Sequence, residues 1–408
     1  MENYIVGGYV RDKLLGLNPR DRDWVVVGGS VEQMLADGFE LVGREFPVFL
    51  HPQSREVYAL ARSARQDSQQ HQGKSVYTAP DISLEQDLAR RDLSINAMAM
   101  TADGELIDPF GGQQDLEAKL LRHVSPAFRD DPVRVLRTAR FAARYGFDVA
   151  TETLALIHDM VASSELDDLI PERVWAELHK ALSEAHPDRF IGVLRDMHAL
   201  QKILPEVERL FGVPQPEKHH PEIDTGVHLL MALQRAAELS TDPLVRFGVL
   251  VHDLGKGVTD KALLPQHIGH EKAGLPLIDA LCQRLRLPNL YRQFGHACSE
   301  FHLHAHRAFE LKAKTLLRLL ENLGAFRNPE NLQRFLIACQ ADAQGRRQRQ
   351  SQPYPQRDYL WKLFEAAANV SNQAILDSGV TGKAFGEKLH RQRLHAIKQA
   401  AQEIGSHS

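Results

Sequence analysis

The spacing of apolar and polar positions changes character along the chain. Near the amino end, short apolar runs (Tyr4–Val6, Trp24–Val27, Glu40–Val42, Phe46–Leu50 and Val57–Ala61) are separated by glycine and polar turns. Runs of that length bounded by turn residues predict strands. A stretch carrying Arg11 and another over Val31–Ala36 have helical spacing between them. The alternation predicts a small mixed sheet with helices on one side. From Phe141 to about Val213 the pattern is helical: Pro171 opens one helix, and Phe190–Leu200 carries aliphatics three and four apart. Trp175 and Met197 read as core. Leu311–Ser408 is helix-rich and polar. The fold class is therefore α+β, a mixed-sheet head followed by helices. We expect divisions at 1–140, 141–220, 221–345 and 346–408, with the Pro-rich break Pro214–Pro221 (P-Q-P-E-K-H-H-P) as one boundary.

Composition narrows the class. A chain of 408 residues has room for two to four domains at roughly 100–200 residues each. No run reaches the roughly 18 apolar residues of a membrane span, and no basic-then-apolar leader opens the chain, so no membrane is expected. Three cysteines (Cys282, Cys298, Cys339) without metal spacing fit a reducing cytoplasm. The net charge of −4 excludes a general nucleic-acid coat and points to a local positive groove for a shaped RNA.

The chemistry concentrates first in Val6–Val27, V-G-G-Y-V-R-D-K-L-L-G-L-N-P-R-D-R-D-W-V-V-V. Gly7 and Gly8 let backbone N–H groups approach an anion before a helix, and Arg11 can meet a phosphate with a planar fork. After the turn at Gly16, Asn18 and Pro19, Asp21 and Asp23 enter a strand. Residues i and i+2 share a face, which sets Arg22 on the other one. Two neighbouring carboxylates suit Mg2+ with a substrate phosphate. No G-x-G-x-x-G or Walker lysine motif supports a dinucleotide or P-loop reading. Glu56 is either a third acid or a surface carboxylate. Ser63–Pro80 reads as a polar loop.

A second cluster is Arg129–Arg144, R-D-D-P-V-R-V-L-R-T-A-R-F-A-A-R. Asp131 and Pro132 make a helix start. Arg134, Arg137, Arg140 and Arg144 then fall on one face, an unfavourable stripe unless it reads phosphates or bases. A carboxylate accepts only and an arginine donates only. Asp131 with Arg134 therefore matches the amino-beside-acceptor edge shared by cytosine and adenine, and mismatches uracil and guanine. Arg137 and Arg140 would hold triphosphate or base from the same face.

G-G-x-V-R-D-x-L-L-G followed by D-x-D resembles the head of the class II nucleotidyltransferases, the bacterial CCA-adding enzymes and their poly(A) polymerase relatives in the polymerase-β-like superfamily. The resemblance extends to R-R-D-x-x-x-N-A at Arg90–Ala97, which implies Arg91 as a nucleotide ligand with Asp92 and Asn96 as sugar or loop contacts. It extends to D-x-x-G at Asp108–Gly111, a hinge or head–neck joint, and to E-D-x-x-R, present here as Asp130-Asp131-Pro-Val-Arg134. It implies a flexible loop, for which 63–80 is the stretch available. Farther along, ten of the twenty histidines lie between His219 and His306. His228, then His252-Asp253 in H-D-L-G-K, then Asp342 resemble the HD phosphohydrolase superfamily and would bind a divalent metal. His267, His270 and His302 lie between. His304 and His306 read as exposed, and Arg346, Arg347 and Arg349 as a basic patch facing RNA or solvent.

Together these resemblances imply a bacterial multifunctional CCA-adding type of enzyme. Its substrates would be tRNA, CTP and ATP. Asp21 and Asp23 would be catalytic on Mg2+, and Gly8, Arg11, Arg91, Asp131, Arg134, Arg137 and Arg140 would bind nucleotide. A helical HD domain would hold a metal such as Ni2+ and hydrolyse phosphomonoesters and 2′,3′-cyclic phosphates, in a monomer or homodimer. The rival readings are a poly(A) polymerase on the same head, an HD phosphohydrolase with an inactive nucleotide-sensing head, and a non-catalytic RNA-binding scaffold.

Overall fold

The computed structural model describes residues 1–19, 21–42, 47–64, 76–218, 221–377 and 379–405. They form two compact units, Met1–Leu169 and Ile170–Ser408. The division falls inside the stretch expected to be neck and body.

The first unit is built on β1 (Glu2–Val6), α1 (Gly8–Leu14), β2 (Asp23–Val27), α2 (Val31–Ala36), β3 (Glu40–Leu41), β4 (Val48–Leu50) and β5 (Val57–Leu60). A hairpin of β6 (Arg62–Ala64) and β7 (Val76–Thr78) follows, then α3 (Leu84–Leu88), β8 (Ala99–Met100) and β9 (Leu106–Ile107). Seven strands make one mixed sheet in the order β3-β4-β5-β2-β1-β8-β9, with β2 parallel to β5 and the other pairs antiparallel. Within the expected polar loop at 63–80, the ends pair as the β6–β7 hairpin. Residues 65–75 lie outside the described residues.

The helices do not keep to one side of the sheet. Val25 packs with Ile82, Leu88 and Ala97, whereas Val26 packs with Met34, Phe49, Tyr58 and Leu60. Successive strand residues face opposite ways. An unbroken Val25-Val26-Val27 run therefore buries two faces, with α3 over one and α2 over the other. Helix α2 starts at Ser30, whose side chain and Gln33 form a reciprocal capping box; α3 starts the same way at Ser83 and Gln86.

The rest of this unit comprises α4 (Gly112–Ala118), β10 (Leu120–Leu121), α5 (Val133–Tyr145), β11 (Asp148–Val149) and α6 (Thr151–Ala162). Asp108 caps α4, accepting from the Gly112 and Gln113 amides at 2.7 and 2.8 Å. Asp131 accepts the Val133 amide at 3.2 Å, and Gly146 ends α5 in the left-handed region.

The second unit is helical. Helices Thr225–Leu239, Pro243–Val251, His270–Arg284, Asn289–His306 and Pro329–Gln344 pack on one another. Met197 is fully buried. Trp175 is half-buried with its ring edge-on to Tyr291 at 4.7 Å. Gly255 lies so close to the next helix that a Cβ there would overlap the His270 carbonyl oxygen. The three cysteines are buried free thiols. No helix among the described residues is long and apolar enough to cross a membrane.

Candidate functional sites

Asp23 opens β2 and is paired with Val6 on one side and Val57 on the other. That register sets it beside the point where β1 gives way to Gly7. Partial desolvation pushes its carboxyl above the ordinary range, the Arg91 charge pulls it back, and the Asp21 charge pushes it up again. Asp21, Asp23 and Arg91 thus share one neighbourhood. The carboxyl pair is at odds with its own charge, a condition a divalent cation relieves. This donor set fits Mg2+, which takes carboxylate oxygens and leaves positions for substrate phosphates. Arg22 turns elsewhere, over the Tyr9 ring at 5.3 Å. Glu56 accepts from the Trp24 indole at 3.2 Å and lies 3.9 Å from Arg22.

Gly7 has φ 67°, and a Cβ there would come within 3.0 Å of Arg91 Nη1. The positive φ favours glycine, and a Cβ would also crowd the end of the Arg91 side chain. Arg91 leaves α3 and donates to Asp87 Oδ2 at 3.2 Å and to the Asn96 carbonyl at 3.4 Å. Gly8 sits near Arg11 Nη2, which a Cβ would meet at 3.5 Å. Arg11 itself is only 4% exposed. It donates to Asn96 Oδ1 at 2.5 Å and Asp12 Oδ1 at 2.8 Å, with its guanidinium 5.1 Å from the Phe141 ring.

The arginine face of α5 is real, and its charges are dispersed among different partners. Arg134 donates to the carbonyls of Ala127 at 2.7 Å and Arg90 at 2.5 Å. Arg137 donates to Asp92 at 2.7 Å. Arg140 is buried with its guanidinium 4.5 Å from the Phe141 ring, and Arg144 donates to Asp12 at 3.0 Å. Burial pushes Asp92 upward, but the Arg137 charge and hydrogen bonds from Asn96, Arg137 and the Leu93 amide prevail and hold it below the ordinary range.

In the helical unit, His228, His252 and Asp342 converge, and so do Asp253, His270 and His302; all six are buried. The side-chain nitrogens are oriented by the backbone. Nδ1 of His252 lies 2.7 Å from the Val249 carbonyl. Nδ1 of His270 lies 2.7 Å from the His267 carbonyl. Nδ1 of His302 lies 2.9 Å from the Ser299 carbonyl. A carbonyl can only accept, so each Nδ1 carries the proton and each Nε2 presents a lone pair inward. Asp253 Oδ1 stands 3.2 Å from His270 Nε2 and 3.6 Å from His302 Nε2. Asp253 Oδ2 stands 3.2 Å from His252 Nε2. Among the described residues, neither Asp253 Oδ1 nor His252 Nε2 makes a hydrogen bond. Inward lone pairs around carboxylates suit a divalent metal. His252 is pushed down by burial and up by Asp253 and Asp342, ending at about 8, so a metal at its Nε2 would take the place of a proton held there near neutral pH. His302 is held well below its ordinary value, chiefly by burial.

Of the expected metal residues, His228, His252 and Asp342 form one group, with His228 Nε2 3.0 Å from Asp342 Oδ1, and Asp253 belongs to the adjoining one. Two further members, His270 and His302, were in view in the sequence without a role. His306 is not simply exposed: its Nε2 lies 2.6 Å from Asp342 Oδ2 and its Nδ1 3.0 Å from the Tyr354 hydroxyl. Its spacing of four from His302 on one helix was the available signal. His304 is half-buried, edge-on to Phe301 at 5.7 Å. Arg346 is largely buried and donates to Asp342 Oδ1 at 3.2 Å. Arg347 is exposed, and Arg349 reaches the Lys218 carbonyl at 3.3 Å.

Residues 3–122 match the poly A polymerase head domain, and residues 146–211 match the probable RNA- and SrmB-binding site of polymerase A. With the acid pair at the end of a mixed sheet, these define a nucleotidyltransferase head. Along its whole length the chain is 54% identical, over 408 residues, to the multifunctional CCA protein of Thioalkalivibrio sulfidiphilus, covering 99% of this chain and 100% of that one. It is 54% identical over 403 residues to that of Methylococcus capsulatus, covering 98% and 95%. The chain belongs to the multifunctional CCA protein family. Its fold is also that of the Thermotoga maritima CCA-adding enzyme complexed with tRNA-CCA, with a TM-score of 0.63 at 19% identity over 99% of this chain and 91% of the other.

Proposed function

We propose that the head unit builds the 3′-terminal CCA of tRNA from CTP and ATP, without a nucleic-acid template, releasing pyrophosphate. The observation that carries this reading is the acid pair Asp21 and Asp23 meeting Arg91 beside Gly7 at the end of β2. The tRNA 3′-hydroxyl attacks the α-phosphate, the new phosphodiester forms, and pyrophosphate leaves. Mg2+ held by Asp21 and Asp23 would supply Lewis-acid stabilisation of the attacking and leaving oxygens. Arg91 and the Gly7–Gly8 backbone seat the triphosphate. Arg11 is buried too deeply to form a fork on phosphate directly in this arrangement, so its part is to hold Asn96 and the α5 rings. Arg137 and Arg140 line the same face. Asp131 and Arg134 choose the base, with Arg134 exchanging its backbone carbonyls for the base edge.

The experiment is sequencing of products from a tRNA lacking its end, incubated with all four nucleoside triphosphates and Mg2+. C, C and A in that order support the reading. Tailing of arbitrary RNA with A alone supports the poly(A) polymerase. If Asp21→Ala with Asp23→Ala leaves every activity intact, the head is a nucleotide sensor.

A second activity rests on the buried imidazole–carboxylate cluster. The helical unit hydrolyses phosphomonoesters and 2′,3′-cyclic phosphates at His228, His252, Asp253 and Asp342, an HD centre to which His270 and His302 contribute from the Asp253 side. The metal, Ni2+ among those that suit imidazole donors, would activate water and polarise the ester. Hydrolysis of 2′,3′-cyclic AMP by the intact chain, lost on chelation and restored by Ni2+, tests it.

A further inference from the structure

Helix α3 carries two acids in different surroundings. Glu85 is exposed, whereas Asp87 is 3% exposed. An acid four residues before an arginine on an open helix surface contributes little. A buried carboxylate costs free energy unless its oxygens are bonded, and both oxygens of Asp87 are. Oδ2 accepts from Arg91 Nη2 at 3.2 Å. Oδ1 accepts from the Arg62 amide at 3.2 Å, with Arg62 Nε 3.8 Å away. Arg62 is the first residue of β6. One side chain therefore joins β6 to the arginine that stands beside Gly7 and feels the charge of Asp23. The Arg62 and Arg91 charges repel one another there, and the carboxylate they share offsets that repulsion.

Arg91 is held at two points, by the Asn96 carbonyl on Nη1 and by Asp87 on Nη2. Its side chain is 20% exposed, and its Nε makes no hydrogen bond among the described residues. A guanidinium has five N–H donors in one plane. Two bonds from that plane set its direction and leave donors over for a ligand.

We infer that Asp87 is a positioning residue for nucleotide addition: it fixes the plane of the Arg91 guanidinium so that the remaining donors meet the triphosphate, and it ties that plane to β6. This role rests on the reading of Arg91 as a triphosphate ligand. A planar fork meets two phosphate oxygens at once only in the right orientation. Charge gives the role a distinctive sign. Asp87 is itself an anion near a seat for a polyanion, so by Coulomb's law alone its removal tightens nucleotide binding. Removal loosens binding only where the direction of Arg91 outweighs that repulsion.

The test is steady-state addition of C and A by the full-length chain to a tRNA lacking its end. The variants are Arg91→Ala, Asp87→Asn and Asp87→Ala, the last two also combined with Arg91→Ala. Asp87→Ala is expected to raise the KM for CTP and ATP alike about tenfold, the scale of one charge-assisted hydrogen bond, and to leave kcat within about threefold. Asp87→Asn keeps the size and one acceptor oxygen, so it should raise both KM values by less. Where Arg91→Ala is already present, neither change should add to the KM, because residues acting as one unit are not additive. If Asp87→Ala melts below the assay temperature, Asp87→Asn decides alone. A KM unchanged or lowered in the Asp87 variants overturns the role. So does a rise of the same factor with and without Arg91, or a kcat that falls in parallel, either of which marks a general part in holding the head together. A parental KM in Arg91→Ala removes the reading of Arg91 and this role with it. A raised KM in Arg91→Ala beside a parental one in the Asp87 variants removes the positioning role alone.

Discussion

Arg137 of α5 donates its Nε–H to Asp92 Oδ2 at 2.7 Å, and the Oδ1 atom of that carboxylate accepts from Asn96 Nδ2 and the Leu93 amide at 2.9 Å each. Asn96 in turn accepts from Arg11. One buried carboxylate therefore ties the arginine helix to the segment after α3 and, through Asn96, to α1. Asp92→Ala should destabilise the head by about 2–3 kcal/mol, less than a fully buried pair would lose because Arg137 reaches water. Calorimetry, read at the head's own transition, measures it.

The same residue gives a pH dependence. Its folded-state value lies below the ordinary one, so the ionised form favours the folded head. The stabilisation is complete above the unfolded value of about 3.9 and is lost as pH falls through the depressed folded value. As pH falls below about 4, the parent should lose stability faster than Asp92→Asn. Parallel curves would exclude this assignment.

Asp23→Asn keeps the size of the side chain and removes the charge that repels Asp21. It should fold like the parent and lose addition of C and A by about 10³-fold or more, the scale of several kcal/mol of metal-assisted stabilisation. Hydrolysis by the helical unit should be unaffected. Incorporation of labelled CTP and cleavage of a cyclic nucleotide, run on one preparation, separate the two.

Divalent metal should stabilise the helical unit, by about 2.7 kcal/mol at a hundredfold excess over the dissociation constant. A melting temperature that rises with Ni2+ in the parent and not in His252→Ala or Asp253→Ala locates the ion. His302→Ala should reduce the shift if the Asp253 side of the cluster contributes.

Gly7→Ala places a Cβ in a left-handed backbone and against Arg91. The backbone cost is about 1–3 kcal/mol, and displacement of Arg91 should raise the KM for both nucleotides while a melt shows the head still folded. A KM equal to the parent's would mean Arg91 does not hold them.

Much of this was legible in the residues. The two-residue spacing of Asp21 and Asp23, the glycine pair and the strand-like runs anticipated the mixed sheet and the place of the acids, because local periodicity and turn chemistry govern both. The second buried face was legible only in hindsight: Val25-Val26-Val27 is apolar without alternation, and α2 covers Val26 from a side the pattern does not specify. His228, His252 and Asp342 converge, and Asp253 falls in the neighbouring group with His270 and His302. His270 and His302 had no assigned role, and His306 was read as exposed, because their meeting with Asp253 and Asp342 depends on how helices far apart in sequence pack. Arg346 was read as facing RNA or solvent for a different reason: its partner Asp342 is only four residues back, and a basic run reads identically whether it points in or out.

The pairing of Val6 with Asp23 has an evolutionary consequence. Because the ladder between neighbouring strands, rather than the connecting turn, fixes Asp23 beside Gly7, residues inserted or deleted between Leu17 and Pro19, ahead of Asp21 and Asp23, need not displace the chemistry. Descendants of this chain are free to vary that connection in length and composition, while a one-residue slip of either strand would turn the acid to the opposite face and be eliminated.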